Sequence, residues 1–188
     1  TNLSATETFR MGLARSFQIP RIFPNLTVLE NLLTAVENLG ESFIKAPFRS
    51  LWKKEERRNV EKAFDVLKMI GLEDQWDKLG GELSGGDTKL LEIGRALMSN
   101  AKMLLLDEPI AGVNPSFSHI LLERLRKIRD ARNLTILVVE HRLDIALKYV
   151  DYAYAMANGK IICEGDPKEV IEAPEVIESY LGKKYRIR

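Results

Sequence analysis

Cysteine is almost absent from this chain. Cys163 is the only one among 188 residues, which excludes an internal disulfide and with it the small secreted scaffolds that depend on such staples. A reducing cytosol is the expected surrounding. Long apolar runs are missing too: none approaches the roughly 20 residues that a spanning helix requires, and the opening TNLSATETF has no basic region followed by an apolar segment. Membrane association is therefore expected to run through other proteins. Charge of one sign is also lacking, because 28 basic residues stand against 27 acidic ones for a formal net charge of +1. Without a long-range positive field, nucleic acid is not an expected partner. Imidazole chemistry is confined to His119 and His141. What remains is a chain 45% hydrophobic and 29% charged, the balance of a packed globular protein, long enough for one domain or a core with a subdomain.

Residues 103–106, MLLL, form a short apolar run that ends abruptly in Asp107, Glu108 and Pro109, as a buried strand does on leaving a sheet. Residues 134–139, LTILVV, repeat the pattern and end in Glu140 and His141. Between them Pro115 opens a helix in which Ile120, Leu121, Leu125 and Ile128 recur at helical spacing. Strand, helix, strand implies parallel pairing, with both C-terminal strand ends on one sheet edge, where open parallel sheets bind ligands. Asp107, Glu108 and His141 are thus expected to converge. Upstream, residues 26–37 and 53–70 read as helices, the second with a Val60, Phe64, Leu67, Ile70 stripe and Gly71 at its C-terminal cap. Downstream, YAYAMANGKIICEG reads as a hairpin around Asn158-Gly159, and residues 167–181 as a closing helix. Three segments follow: 1–19; 20–98, helical; and 99–188, which holds the strand–helix–strand unit, the hairpin and the closing helix.

Four groups of residues carry chemistry. Leu83-Ser84-Gly85-Gly86-Asp87 precedes an apolar-periodic stretch, so Ser84 stands at an N-cap while Gly85 and Gly86 leave first-turn amides open to a phosphate. The same residues also have the S-x-x-D spacing of a capping box. Asp107 and Glu108 are adjacent carboxylates at a sheet edge; one suits Mg2+ held with water, the other the activation of a water that attacks a phosphate, against the alternative of an idle acidic turn. His141 could donate to a phosphate oxygen, or serve only structure. Gln18 offers an amide able to meet both Mg2+ and water, or is simply a surface residue.

In order, RSFQ, LSGG, an apolar strand with Asp-Glu-Pro and a strand ending in His form the motif series of ABC ATPases, which the chain resembles over essentially its whole length. The narrower likeness is to the ATPase subunits of importers for branched-chain and related hydrophobic amino acids. It rests on ARSFQIPRIFPNLTVLENLL at residues 14–33, the long polar segment with Trp52, DEPIAGVNP at 107–115 and PEVIESYLG at 174–182. The resemblance implies an α/β, P-loop NTPase-like core with a parallel sheet and an inserted helical subdomain. It also implies roles: Asp107 holds Mg2+, Glu108 is the catalytic base, His141 contacts the γ-phosphate of ATP, and Gln18 links nucleotide and Mg2+ to the transmembrane partner. Ser84, Gly85 and Gly86 would serve the nucleotide of an opposing subunit. The implied partners are that second ATPase subunit, the permease subunits, whose cytoplasmic helix would dock near residues 19–33, and indirectly an extracellular solute-binding protein. The implied location is the cytoplasmic face of the membrane.

Three departures stand out. No G-x-x-x-x-G-K-S/T occurs in the sequence, although that loop cradles the β- and γ-phosphates. The core is therefore expected to be incomplete at its amino terminus, and the chain alone to hold ATP weakly, with an exposed sheet edge. Asp87 stands where the family usually has Gln, and is expected to stay back in the cap. Asn114 replaces the customary Asp. Two other readings compete: the ATPase of a lipopolysaccharide-type exporter, and a non-catalytic interaction module. The mixed run Lys53 to Arg58 and the tail Lys183, Lys184, Arg186, Arg188 read as solvated surface.

Overall fold

The structure is a computed structural model and describes residues 2–16, 19–36 and 47–181. Two compact units divide the chain, Thr1–Glu140 and His141–Arg188. Both sequence-derived boundaries, at 19/20 and 98/99, fall inside the first.

The first unit begins with α1 (Ala5–Arg10) and β1 (Leu13–Arg15), followed by the helices α2 (Val28–Leu33), α3 (Arg49–Ile70) and α4 (Gly85–Met98). Strand β2 (Met103–Asp107), helix α5 (Pro115–Arg132) and strand β3 (Thr135–Val139) complete it. The three strands lie parallel in the order β1-β2-β3, with Ala14 opposite Leu104 and Leu104 opposite Ile136. The two apolar runs thus pair as the strand–helix–strand pattern requires. On β2, alternate residues Leu104 and Leu106 are buried, the period-2 signature of a pleated strand. Among the described residues β3 pairs with β2 only, and its Leu137 and Val139 are exposed.

Helix α2 is shorter than residues 26–37. Thr27 and Glu30 form a reciprocal capping box that starts it at Val28, and the backbone turns at Thr34; Glu37 lies outside the described residues. Helix α3 starts at Arg49 rather than residue 53, two residues after Pro47, because no residue type in 49–52 opposes helix. It ends where expected: Gly71 adopts φ 67°, the left-handed cap that glycine takes without strain. Helices α2, α3 and α4 meet at Gly94, where a Cβ would lie 2.7 Å from Ile70 and 2.9 Å from Leu32. Leu32, Val66, Leu67, Ile70, Leu90 and Leu91 are all excluded from solvent around it.

The second unit comprises α6 (Leu143–Ala146), the antiparallel hairpin β4 (Ala153–Ala157) with β5 (Lys160–Gly165), α7 (Pro167–Glu172) and α8 (Pro174–Leu181). Asn158 and Gly159 both have positive φ, 50° and 75°, as a type I′ turn demands. Ala155, Val170 and Val176 form its small core. The single closing helix expected over 167–181 is two helices, because Ala173 precedes Pro174 and is driven to φ −63°, ψ 129°. A residue before proline is sterically barred from continuing the helical turn.

Candidate active site

Helix α4 begins at the glycine-rich turn. Ser84 is its N-cap: the hydroxyl accepts the Asp87 amide hydrogen at 3.2 Å and donates to the Asp87 carboxylate at 2.7 Å. Asp87 is therefore folded back into the cap, as a carboxylate in place of the usual amide was expected to be. The two glycines serve different ends. A Cβ at Gly86 would lie 2.5 Å from the Phe117 ring, so the first turn of α4 requires glycine there to pack against α5. A Cβ at Gly85 meets nothing within 4 Å, leaving open space at a helix N-terminus whose first-turn amides have no acceptor within the helix, the Asp87 amide being met by the Ser84 hydroxyl.

Asp107 ends β2, and its amide donates to the Ser16 hydroxyl at 3.2 Å, just past the end of β1. The Asp107 carboxylate lies 3.5 Å from the Arg15 guanidinium; both side chains are substantially exposed, so the pair is a weak one. Glu108 follows with φ 49°. For a residue with a Cβ this left-handed conformation is strained by about 1 to 2 kcal/mol, and it persists only where neighbouring contacts hold it.

Those contacts come from three directions. The Glu108 amide donates to the Val139 carbonyl on β3 at 2.9 Å. From α4 the Lys89 ammonium donates to the carbonyls of Ala111 at 2.6 Å and Glu108 at 3.2 Å. Glu140, after β3, accepts the Ile110 amide hydrogen at 2.9 Å, and Ile110 itself is fully buried. Burial pushes the Lys89 ammonium below its ordinary pKa, while Glu140, Glu92 and Glu108 pull it back up. Ser16, Lys89, Glu92, Ile93, Leu106, Asp107, Glu108 and Pro109 surround a small cleft here, of about 10 Å3, room for roughly one water.

A second and larger hollow, about 720 Å3, runs between β1, residues 21–23, the end of α2 and α4. Arg95 from α4 lines it, donating to the Arg21 carbonyl and standing 5.0 Å over the Phe23 ring. The loop before α2 is fixed by Asn31, whose buried amide accepts from the Phe23 amide at 2.8 Å and donates to the carbonyls of Phe23, Leu26 and Thr27.

Within the first unit, then, Asp107 and Glu108 share one turn, and Lys89 ties that turn to the helix that Ser84, Gly85 and Gly86 begin. His141 opens the second unit, ahead of α6. Gln18 lies outside the described residues. Lys89, Glu140 and Arg95 were not singled out by sequence. A lysine inside an amphipathic helix carries no mark that its ammonium will reach a carbonyl 19 residues away.

Among the described residues no three His, Cys, Asp or Glu side chains gather to hold an ion. Mg2+ takes one or two protein carboxylates and keeps its waters, which a single edge carboxylate such as Asp107 can supply. Among the described residues no helix is long and apolar enough to cross a membrane.

Comparison with known proteins gives the family. The model of the ABC transporter family matches residues 2–111. A probable branched-chain amino acid transport ATP-binding protein LivG from Archaeoglobus fulgidus is 48% identical over 182 residues, covering 97% of this chain and 70% of that protein. Its counterpart from Methanocaldococcus jannaschii is 45% identical, covering 97% of this chain and 72% of that protein. Among solved structures, a nucleotide-free ATP-binding cassette from an ABC transporter superposes with a TM-score of 0.79 at 44% identity, covering 97% of this chain and 74% of that one. A family match over more than half the chain, with relatives of this identity and coverage, leaves one assignment: the chain belongs to the ABC transporter family.

Proposed function

We propose that the protein is the ATP-hydrolysing subunit of an importer for branched-chain or related amino acids, working at the cytoplasmic face of the membrane against permease subunits. The support for the solute class is the likeness to the LivG proteins. The observation that carries the chemistry is the Asp107-Glu108 turn, set at the C-terminal edge of a parallel sheet and held in a strained conformation from three sides.

In this reading Asp107 would hold Mg2+, whose charge would offset that of the phosphates. Glu108 accepts a proton from the water that attacks the γ-phosphorus, and His141 donates to a γ-phosphate oxygen as charge builds on it. Gln18 would be a further ligand for Mg2+ and link the nucleotide to the permease. Ser84, Gly85 and Gly86 close over the nucleotide of a second ATPase subunit. The open space at Gly85, at the N-terminus of α4, supports that role. Residues 20–98 form the helical part that the permease contacts, with the hollow beside Phe23 and Arg95 as its seat. The glycine-rich phosphate loop is not among these 188 residues. The reaction is accordingly proposed for the subunit as it works in the transporter, and these residues alone are expected to hold ATP weakly.

The test is ATP-driven uptake into vesicles carrying the assembled transporter. Leucine, isoleucine and valine should accumulate only with Mg-ATP inside the accessible compartment. Accumulation of an unrelated solute in their place would refute the amino-acid assignment. ATP bound without turnover or uptake would favour a non-catalytic module.

A further inference from the structure

We propose that Lys89 is a positioning residue for hydrolysis: it clamps the main chain of the Glu108 turn to helix α4, so that the base is in place only while that helix is seated. The proposal rests on the reading of Glu108 as the base.

The geometry is specific. Lys89 lies five residues beyond Ser84, about 7.5 Å along a helix that starts at the glycine-rich turn. Its ammonium has three hydrogens, and two go to main-chain oxygens on either side of the turn, Glu108 at 3.2 Å and Ala111 at 2.6 Å. Between those carbonyls the Ala111 amide also donates back to the Glu108 carbonyl at 3.0 Å, closing the turn on itself. Glu108 keeps a positive φ that no glycine relieves. Strain of this kind survives where surroundings over-determine it, and here the surroundings are β3, Glu140 and Lys89. Of these, only Lys89 comes from the helix that carries the glycine-rich turn.

Bonded to the carbonyls of Glu108 and Ala111, Lys89 fixes the main chain from which the Glu108 side chain starts. Its flexible stem also lets the helix shift by a fraction of an ångström before the contact is lost. A displacement of the α4 N-terminus large enough to break these bonds would release one of the three holds on the Glu108 turn.

The test is steady-state ATP hydrolysis by the assembled transporter carrying Lys89→Met or Lys89→Arg, with Glu108→Gln as the control for the underlying reading. Loss of a positioning contact near a reacting group costs roughly 10- to 100-fold. Lys89→Met should therefore lower kcat by about tenfold or more with KM for ATP within about twofold, and Lys89→Arg, which keeps the charge and can reach both carbonyls, should recover most of it. A Lys89→Met protein with unaltered kcat, while Glu108→Gln is inactive, would overturn the clamp and leave the base assigned. An equal loss in both lysine variants, or a rise in KM matching the fall in kcat, would overturn it as well by showing a purely structural role. Full turnover in Glu108→Gln would remove the base itself, and the clamp with it. If Lys89→Met does not fold, the same comparison between Lys89→Arg and the shorter, neutral Lys89→Gln carries the test.

Discussion

Replacing Asn31 with leucine removes a side chain that ties together the loop entering the helical region. Asn31 is fully buried, and its amide makes four hydrogen bonds to the main chain of Phe23, Leu26 and Thr27. Their loss is unequal. The three carbonyls each retain another donor: Leu26 for Phe23, Gly80 for Leu26 and the Asn31 backbone for Thr27. The Phe23 amide has no such second acceptor among the backbone bonds of the described residues, but Phe23 is exposed, so water partly replaces the lost oxygen. A part-buried amide left without its acceptor costs about 1 kcal/mol, and the lost side-chain N–H bonds about 1 kcal/mol each for two donors. Burying a leucine side chain returns about 1.5 kcal/mol, so Asn31→Leu should destabilise the fold by roughly 1 to 2 kcal/mol. With an m-value of about 2 kcal/mol/M, the urea midpoint should fall by about 0.7 M at unchanged slope. A midpoint shift under about 0.3 M would refute the view that Asn31 organises residues 23–27.

Two further outcomes follow from the helix starts. Gly86→Ala forces the Phe117 ring aside and should cost about 1 to 3 kcal/mol of stability, whereas Gly85→Ala, with open space above it, should leave the melting temperature unchanged while lowering ATP turnover. Equal melting temperatures for the two variants would contradict the packing described. Thr27 donates from its amide and hydroxyl to Glu30, holding that carboxyl below its usual range. A depressed folded-state pKa contributes stability above the unfolded value of 4.5 and loses it as pH falls through the folded one. Wild type should therefore exceed Glu30→Gln in stability near neutrality, with the gap closing in acid; a gap independent of pH would argue against the capping box.

Much of the architecture was legible because it depends on local patterning. The apolar runs before Asp107 and His141, the Pro115 helix start, the Gly71 cap, the Ser84 cap and the Asn158-Gly159 turn are each set by residues within a few positions of one another. Errors arose where one residue overrode a favourable pattern. Pro174 splits a helix whose charges and apolar residues are otherwise continuous. The carboxylates of the candidate site were legible as types, from a strand ending in Asp-Glu-Pro. The way they are held was not. Glu108 takes a backbone angle that its side chain disfavours, and what stabilises it are Lys89 and Glu140, 19 and 32 residues away in sequence. Contacts of that range leave no periodicity to read.

The account turns on Glu108 as the group that activates water. Its most direct test is the rate of ATP hydrolysis by the assembled transporter with Glu108→Gln, measured beside equilibrium binding of ATP. A general base contributes about 100- to 10,000-fold, so turnover should fall by at least about 100-fold while ATP binding is retained. Turnover within about threefold of wild type, with binding intact, would contradict it.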